Sequence, residues 1–154
     1  MAHYLVSVRT PMAPAEAFAY MADLTHFAEW DPGVTRAKQV KGNGPGADAA
    51  FDVAVKAFGR TITLRYDIVA FDSPNTVTAF AENSVMSSKD TITVTPAEGN
   101  GSIVTYDAVL KLKGPLGLFD PLLRKSFDKI GDRAAAGLIA ALSGERVAEP
   151  AAAS

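Results

Sequence analysis

Three polar side chains stand on strand faces that are otherwise apolar. Over residues 61–71, Tyr66 shares its parity with Ile62, Leu64 and Ile68. Over Ser102–Leu112, Tyr106 shares its parity with Val104, Ala108, Leu110 and Leu112. Over residues 88–95, Thr91, Thr93 and Thr95 take one face, leaving Asp90 with Ile92 and Val94 on the other. His26 and Trp30 lie near the end of a short helical stretch upstream. A phenol so placed either packs as core, its hydroxyl reaching backbone or water, or lines a pocket and offers a hydrogen bond to a carbonyl or hydroxyl. Asp90 is the sharper case, because burying an unpaired carboxylate costs several kcal/mol or forces protonation. It either points into solvent at a cavity mouth or is enclosed, and enclosure raises its pKa and makes it a candidate general acid or base. The candidate catalytic residues are therefore Asp90, Tyr66, Tyr106 and His26. Trp30 either closes one end of the core or stacks on a ligand.

Other chemistries find no support. His3 and His26 are the only histidines and have no paired-ligand spacing, so no metal site is expected. With no cysteine in 154 residues, disulfides and thiolate chemistry are excluded. No serine sits in a Gly-x-Ser-x-Gly turn, which leaves a hydrolase triad without a nucleophile elbow. The glycines at 42, 44 and 46 lack a following Gly-Lys-Ser/Thr and lead into a strand, so they read as a hairpin loop and not a phosphate cradle. A net charge of -2 without a basic block argues against nucleic acid, and Arg124-Lys125 reads as a solvated helix face. No cofactor is expected. No apolar run approaches the roughly 20 residues of a membrane span, and the opening residues alternate like a strand and not a leader, so a cytoplasmic location is expected.

The elements that position these residues follow from periodicity. Residues 4–9 alternate with Tyr4, Val6 and Val8 on one face, and Pro14 opens a short helix over 15–21. A second short helix over 24–30, capped by Asp23 or Thr25, stops at Asp31-Pro32-Gly33. Strands are expected at Val34–Lys41, 50–58, 61–71, Thr76–Glu82, 88–95 and Ser102–Leu112. Turn chemistry separates them, notably at Gly59-Arg60 and Asp72-Ser73-Pro74-Asn75. After Gly114-Pro115, the residues Leu116, Phe119, Leu123, Phe127, Ile130, Ala134, Leu138 and Leu142 recur at steps of three and four. That spacing predicts one helix of roughly 28 residues and ~40 Å lying across an antiparallel sheet. A single domain over residues 1–143 is expected, with a disordered tail over 144–154 rich in small and polar residues.

This order, with Trp30-Asp31-Pro32 where the second short helix ends, resembles the START-like superfamily, in particular its polyketide cyclase/dehydrase-type branch (SRPBCC, or Bet v 1-like, proteins). The matching stretches are Thr10-Pro11-Met12-Ala13-Pro14-Ala15-Glu16, Asp23-Leu24 with Phe27-Ala28-Glu29-Trp30-Asp31-Pro32, and Asp90-Thr91-Ile92-Thr93-Val94-Thr95-Pro96. Val104-Thr105-Tyr106 and Lys113-Gly114-Pro115-Leu116-Gly117 complete them. The resemblance implies an α+β helix-grip fold: a seven-stranded antiparallel sheet curved around a long C-terminal helix, with two short helices between strands 1 and 2 and an apolar cavity inside. It implies a hydrophobic small-molecule ligand such as a lipid or polyketide. The branch has no universal catalytic residue, so no catalytic role carries over.

The leading expectation is a binder of a lipid, polyketide or other apolar metabolite between sheet and helix. Its expected ligand-binding residues are Trp30, Phe51, Val53, Val55, Leu64, Tyr66, Ile68, Asp90, Ile92, Tyr106, Leu118 and Leu122. Two alternatives stand behind it. One is a polyketide cyclase, aromatase or dehydratase in which Tyr66 or Tyr106 holds a carbonyl and Asp90 or His26 moves protons; few convergent polar groups and no inward Arg are evident for it. The other is a protein-interaction module docking through Leu118 and Leu122. A monomer or homodimer is expected.

Overall fold

The computed structural model describes residues 1–57 and 59–148. Among the described residues eight strands form one antiparallel sheet: β1 (Ala2–Thr10), β2 (Val34–Lys41), β3 (Ala50–Ala57), β4 (Arg60–Asp72), β5 (Thr76–Glu82), β6 (Met86–Pro96), β7 (Ser102–Leu112) and β8 (Glu145–Val147). Their spatial order is β2-β3-β4-β5-β6-β7-β1-β8. Hairpins join β2 through β7 in sequence, and β1 closes onto β7 with Val6 opposite Tyr106. Between β1 and β2 run α1 (Pro14–Ala22) and a 3₁₀ turn, Leu24–His26, that passes into α2 (Phe27–Trp30). Pro14 opens α1 at a position whose N–H has no helical partner in any case. Asp23 caps the turn by accepting from the Thr25 N–H and hydroxyl, at 3.1 and 2.6 Å.

Two expectations need correction. The sheet has an eighth strand because residues 145–147, assigned to a disordered tail, pair with Arg9, Val8 and Ser7 of β1. The chain reaches that edge because Gly144 lies against Arg9, where a Cβ would sit 2.2 Å from its carbonyl oxygen. The remainder of that expected tail, residues 149–154, lies outside the described residues, as does residue 58 at the end of the third expected strand. The single long helix is also divided: Gly114–Phe119 forms a 3₁₀ segment, and α3 runs Asp120–Ala141. Pro121 has no N–H to give to the carbonyl four residues back, so regular α-helix starts only at its own turn. Instead the Asp120 N–H reaches the Gly117 carbonyl in a tighter bond.

α3 touches the rest of the molecule unequally along its length. Gly131, Ala134, Ala135 and Leu138 are its buried residues. Gly131 lies against the Tyr4 ring, whose hydroxyl donates to Asp132 Oδ1 at 2.9 Å. Burial first, then this carboxylate, pushes the Tyr4 phenol up to about 12. At Gly137 a Cβ would sit 1.8 Å from the Trp30 carbonyl oxygen, so only glycine lets α3 meet the end of α2 this closely. The N-terminal half of α3 and the 3₁₀ segment before it differ: Leu116, Leu123 and Phe127 are half-buried, and Phe119 and Ile130 are exposed. The stripe read from the sequence is real, but only its C-terminal half is packed. Among the described residues no helix is long and apolar enough to cross a membrane.

Candidate functional site

Where the N-terminal half of α3 stands off the sheet, a hollow of about 580 Å³ remains. Its walls are Val53, Val55, Leu64, Met86, Ala108, Leu110 and Leu112 from the strands, Phe27 from α2, and Leu123 and Phe127 from α3. Phe119, Leu122 and Ile130 line it while remaining 57 %, 65 % and 42 % exposed, so they mark its opening.

The polar residues of the lining converge. Tyr106 donates to Asp90 Oδ2 at 2.9 Å, Tyr66 donates to Ser88 Oγ at 2.8 Å, and Ser88 makes a longer bond of 3.4 Å to Asp90 Oδ1. Sheet register explains how they meet. Asp90 pairs with Ala79 on one side and Ala108 on the other, and Ser88 pairs with Ala81. These methyl-sized neighbours leave headroom, so the Tyr66 phenol crosses over β5 to reach β6, and Tyr106 reaches Asp90 from the next inward position of β7. Asp31, just after α2, also lines the hollow and accepts from the Gly33 N–H at 2.8 Å.

Burial dominates the electrostatics. Asp90 is only 4 % exposed, and desolvation lifts it to about 7; the Tyr106 hydrogen bond opposes the rise, and the charge of Asp31 adds to it. Burial also raises Asp31, against the Gly33 N–H. Tyr66 and Tyr106 are both pushed well above the ordinary phenol range, first by burial and then by the Asp90 charge. Asp90 thus holds or releases a proton near neutrality while both phenols stay protonated as donors. That protonation pattern suits hydrogen bonding and single proton transfer.

The predicted site residues divide accordingly. Val53, Val55, Leu64, Tyr66, Asp90, Tyr106 and Leu122 line the hollow together. Phe51, Ile68 and Ile92 also face inward but are buried in the packed core away from it, since the helices cover that part of the sheet. Trp30 closes the core edge-on against Phe27 and Tyr106, at 4.9 and 5.2 Å between ring centroids, and does not border the hollow; its Nε1 is buried with no hydrogen-bond partner among the described residues. Leu118 is 84 % exposed on the 3₁₀ segment and does not line the hollow. His26 is likewise outside: its Nδ1 meets the Tyr20 carbonyl at 2.9 Å and its ring stacks on Tyr20, which removes it from any proton relay with Asp90. Arg124 is not simply solvated, because its Nε donates to the Met1 carbonyl at 2.9 Å. Among the described residues no cluster of His, Cys, Asp and Glu could hold a metal. Sequence reasoning missed Ser88, whose parity with Asp90 placed it inward, and Asp31, for which periodicity offers no signal in a turn.

A family model described as polyketide cyclase / dehydrase and lipid transport matches residues 1–143. The chain belongs to this family. Among solved structures it is similar to a START superfamily protein from Mycobacterium smegmatis, at TM-score 0.74 and 11 % identity over 93 % of this chain and 98 % of that one. It is also similar to major latex-like protein 151 from Panax ginseng, at TM-score 0.55 and 14 % identity, covering 86 % of this chain and 97 % of that one. A third is StfQ, a di-domain ARO/CYC from the steffimycin biosynthetic pathway, at TM-score 0.60 and 15 % identity, covering 87 % of this chain and 49 % of that one. No match was found among curated proteins. At these identities the structures establish a common architecture: this chain has the helix-grip fold.

Proposed function

We propose that this START-like protein binds one hydrophobic small molecule, a lipid, polyketide or other apolar metabolite, between its sheet and α3. The observation that carries the reading is the hollow of about 580 Å³, walled by aliphatic and aromatic side chains and opening between Phe119, Leu122 and Ile130. Binding pockets have this size and this mixture of apolar wall and few polar groups. A ligand burying on the order of 300 Å² of apolar surface gains ~7 kcal/mol before association losses. One or two hydrogen bonds at Asp90 or the phenols then orient it. Native mass spectrometry of the purified protein, followed by extraction, identifies any retained molecule. Ala108→Phe, which places a ring inside the hollow, should lower the affinity for a neutral probe such as decanol at least about tenfold while the variant stays folded. Unchanged affinity in that variant means the guest does not occupy this space.

A second reading, an enzyme of the cyclase, aromatase or dehydratase kind, is favoured by one feature. Asp90, at about 7 and hydrogen-bonded to Tyr106, is suited to pass a proton at neutral pH. If Asp90→Asn leaves turnover of a polyketide substrate unchanged, Asp90 has no part in such a reaction.

A further inference from the structure

The buried polar end of the hollow has used up its hydrogen-bond donors. The Tyr66 hydroxyl hydrogen goes to Ser88, that of Ser88 to Asp90, and that of Tyr106 to Asp90. With Asp90 ionised, what these four groups still offer to a guest is lone pairs. Asp31 is a second acceptor in the lining, with one oxygen engaged by the Gly33 N–H. Among the described residues the lining contains no arginine or histidine; the one basic residue among them, Lys56, and the remaining hydroxyl, Ser126, are both exposed. A carboxylate head brought to this end would meet two like charges and no counter-ion. A head that donates and carries positive charge would satisfy both acidic groups in a low-dielectric setting, where such pairs are strongest.

We propose that the hollow selects an apolar ligand whose head is a protonated amine, seated on the Asp90 and Asp31 carboxylates, and that it discriminates against a carboxylate head. This rests on the reading that the hollow binds an apolar molecule, and it names the chemical class of that molecule. The groups facing Asp90 are Tyr66 on β4, Ser88 on its own strand, Tyr106 on β7 and Asp31 after α2. Asp107 acts from the other face of β7, and β5 presents only Ala79 and Ala81 beside it. None is cationic, so the ammonium supplies the missing positive charge.

The consequence is a pH dependence of known sign. Protonated Asp90 has lost its charge, so an ammonium head binds best when Asp90 is ionised, and affinity climbs as pH rises through about 7. A carbonyl head, which needs a donor, prefers protonated Asp90 and follows the opposite slope. Isothermal titration calorimetry with decylamine, decanol and decanoate at pH 6 and pH 8 separates these cases. The expected result is decylamine tightest at pH 8, about tenfold tighter than decanol, with decanoate weakest. Decylamine affinity should rise about tenfold between the two pH values, and Asp90→Asn should flatten that rise. The wild-type pH series stands without the variant should the variant fold poorly. Decanoate equal to decylamine at pH 8, or decylamine affinity level or falling from pH 6 to pH 8, overturns the proposal. Decanol binding with no preference for the amine overturns the head-group assignment alone. Failure of all three probes overturns the binding reading together with it.

Discussion

Replacing Asp90 by Asn should change how the fold responds to pH, in a direction and amount that follow from its burial. An ordinary aspartate titrates near 3.8; enclosed beneath α3, Asp90 titrates at about 7. Between those values the native protein holds a proton that the unfolded chain has released. Stability therefore falls as pH rises across this window, the reverse of a salt-bridged aspartate. Three units of displacement correspond to on the order of 4 kcal/mol across the full window, of which about 2.5 kcal/mol falls between pH 5 and pH 8. Asparagine has nearly the same shape, accepts from Tyr106 through its oxygen and never ionises. Urea unfolding of both proteins at intervals from pH 5 to pH 8 isolates this contribution, because titrations common to both cancel in the difference. Wild type should lose about 2.5 kcal/mol relative to Asp90→Asn on going from pH 5 to pH 8. Parallel curves would refute the argument, since they would mean that water or a cation solvates the carboxylate and that the enclosed network does not exist.

Two further substitutions test neighbouring parts of the same structure. Tyr106→Phe removes the hydrogen bond that lowers Asp90, so the Asp90 carboxyl should titrate higher still in a ¹³C NMR titration; a midpoint that stays put or falls would mean the phenol does not donate to it. Stability should drop by about 1 kcal/mol at pH 5 and by about 2 kcal/mol at pH 8, where the lost bond was to a charge. Gly137→Ala places a Cβ 1.8 Å from the Trp30 carbonyl oxygen. Despite the ~1 kcal/mol of helix propensity that alanine restores, the variant should lose about 2 kcal/mol in chemical denaturation. A stabilised variant would mean that α2 and α3 are not in contact there.

The alternation of the strands was readable because one face of each is buried. The parities of Tyr66, Asp90 and Tyr106 hold, and Val34–Lys41, Thr76–Glu82 and Ser102–Leu112 begin and end where their turns require. What periodicity cannot supply is distance between elements. Phe51, Ile68 and Ile92 share the inward face with Val53 and Leu64, yet the first three are packed and the other two border the hollow. The difference depends on where the helices lie above the sheet, which no single strand encodes. His26 looked available for proton transfer until Tyr20, six residues earlier, took both its Nδ1 and its ring face. The eighth strand was missed because Glu145–Val147 carries no alternation of its own; it is held by the unpaired edge of β1.

The hollow has a cause that can be read along α3. Helices approach as closely as their side chains allow, and small residues permit near contact of backbones. Gly131, Ala134, Ala135 and Gly137 bring the C-terminal half down onto Tyr4 and Trp30. Leu123, Phe127 and Ile130, with Leu116 and Phe119 of the preceding 3₁₀ segment, continue the same stripe toward the N-terminus with larger side chains, and these line the hollow. Among the strand residues lining that space, Ser88 and Ala108 beside Asp90 are small and do not fill it. One helix with two packing distances therefore produces both the rigid seat and the open space. The enclosed carboxylate is raised toward neutrality because it lies at the bottom of that space.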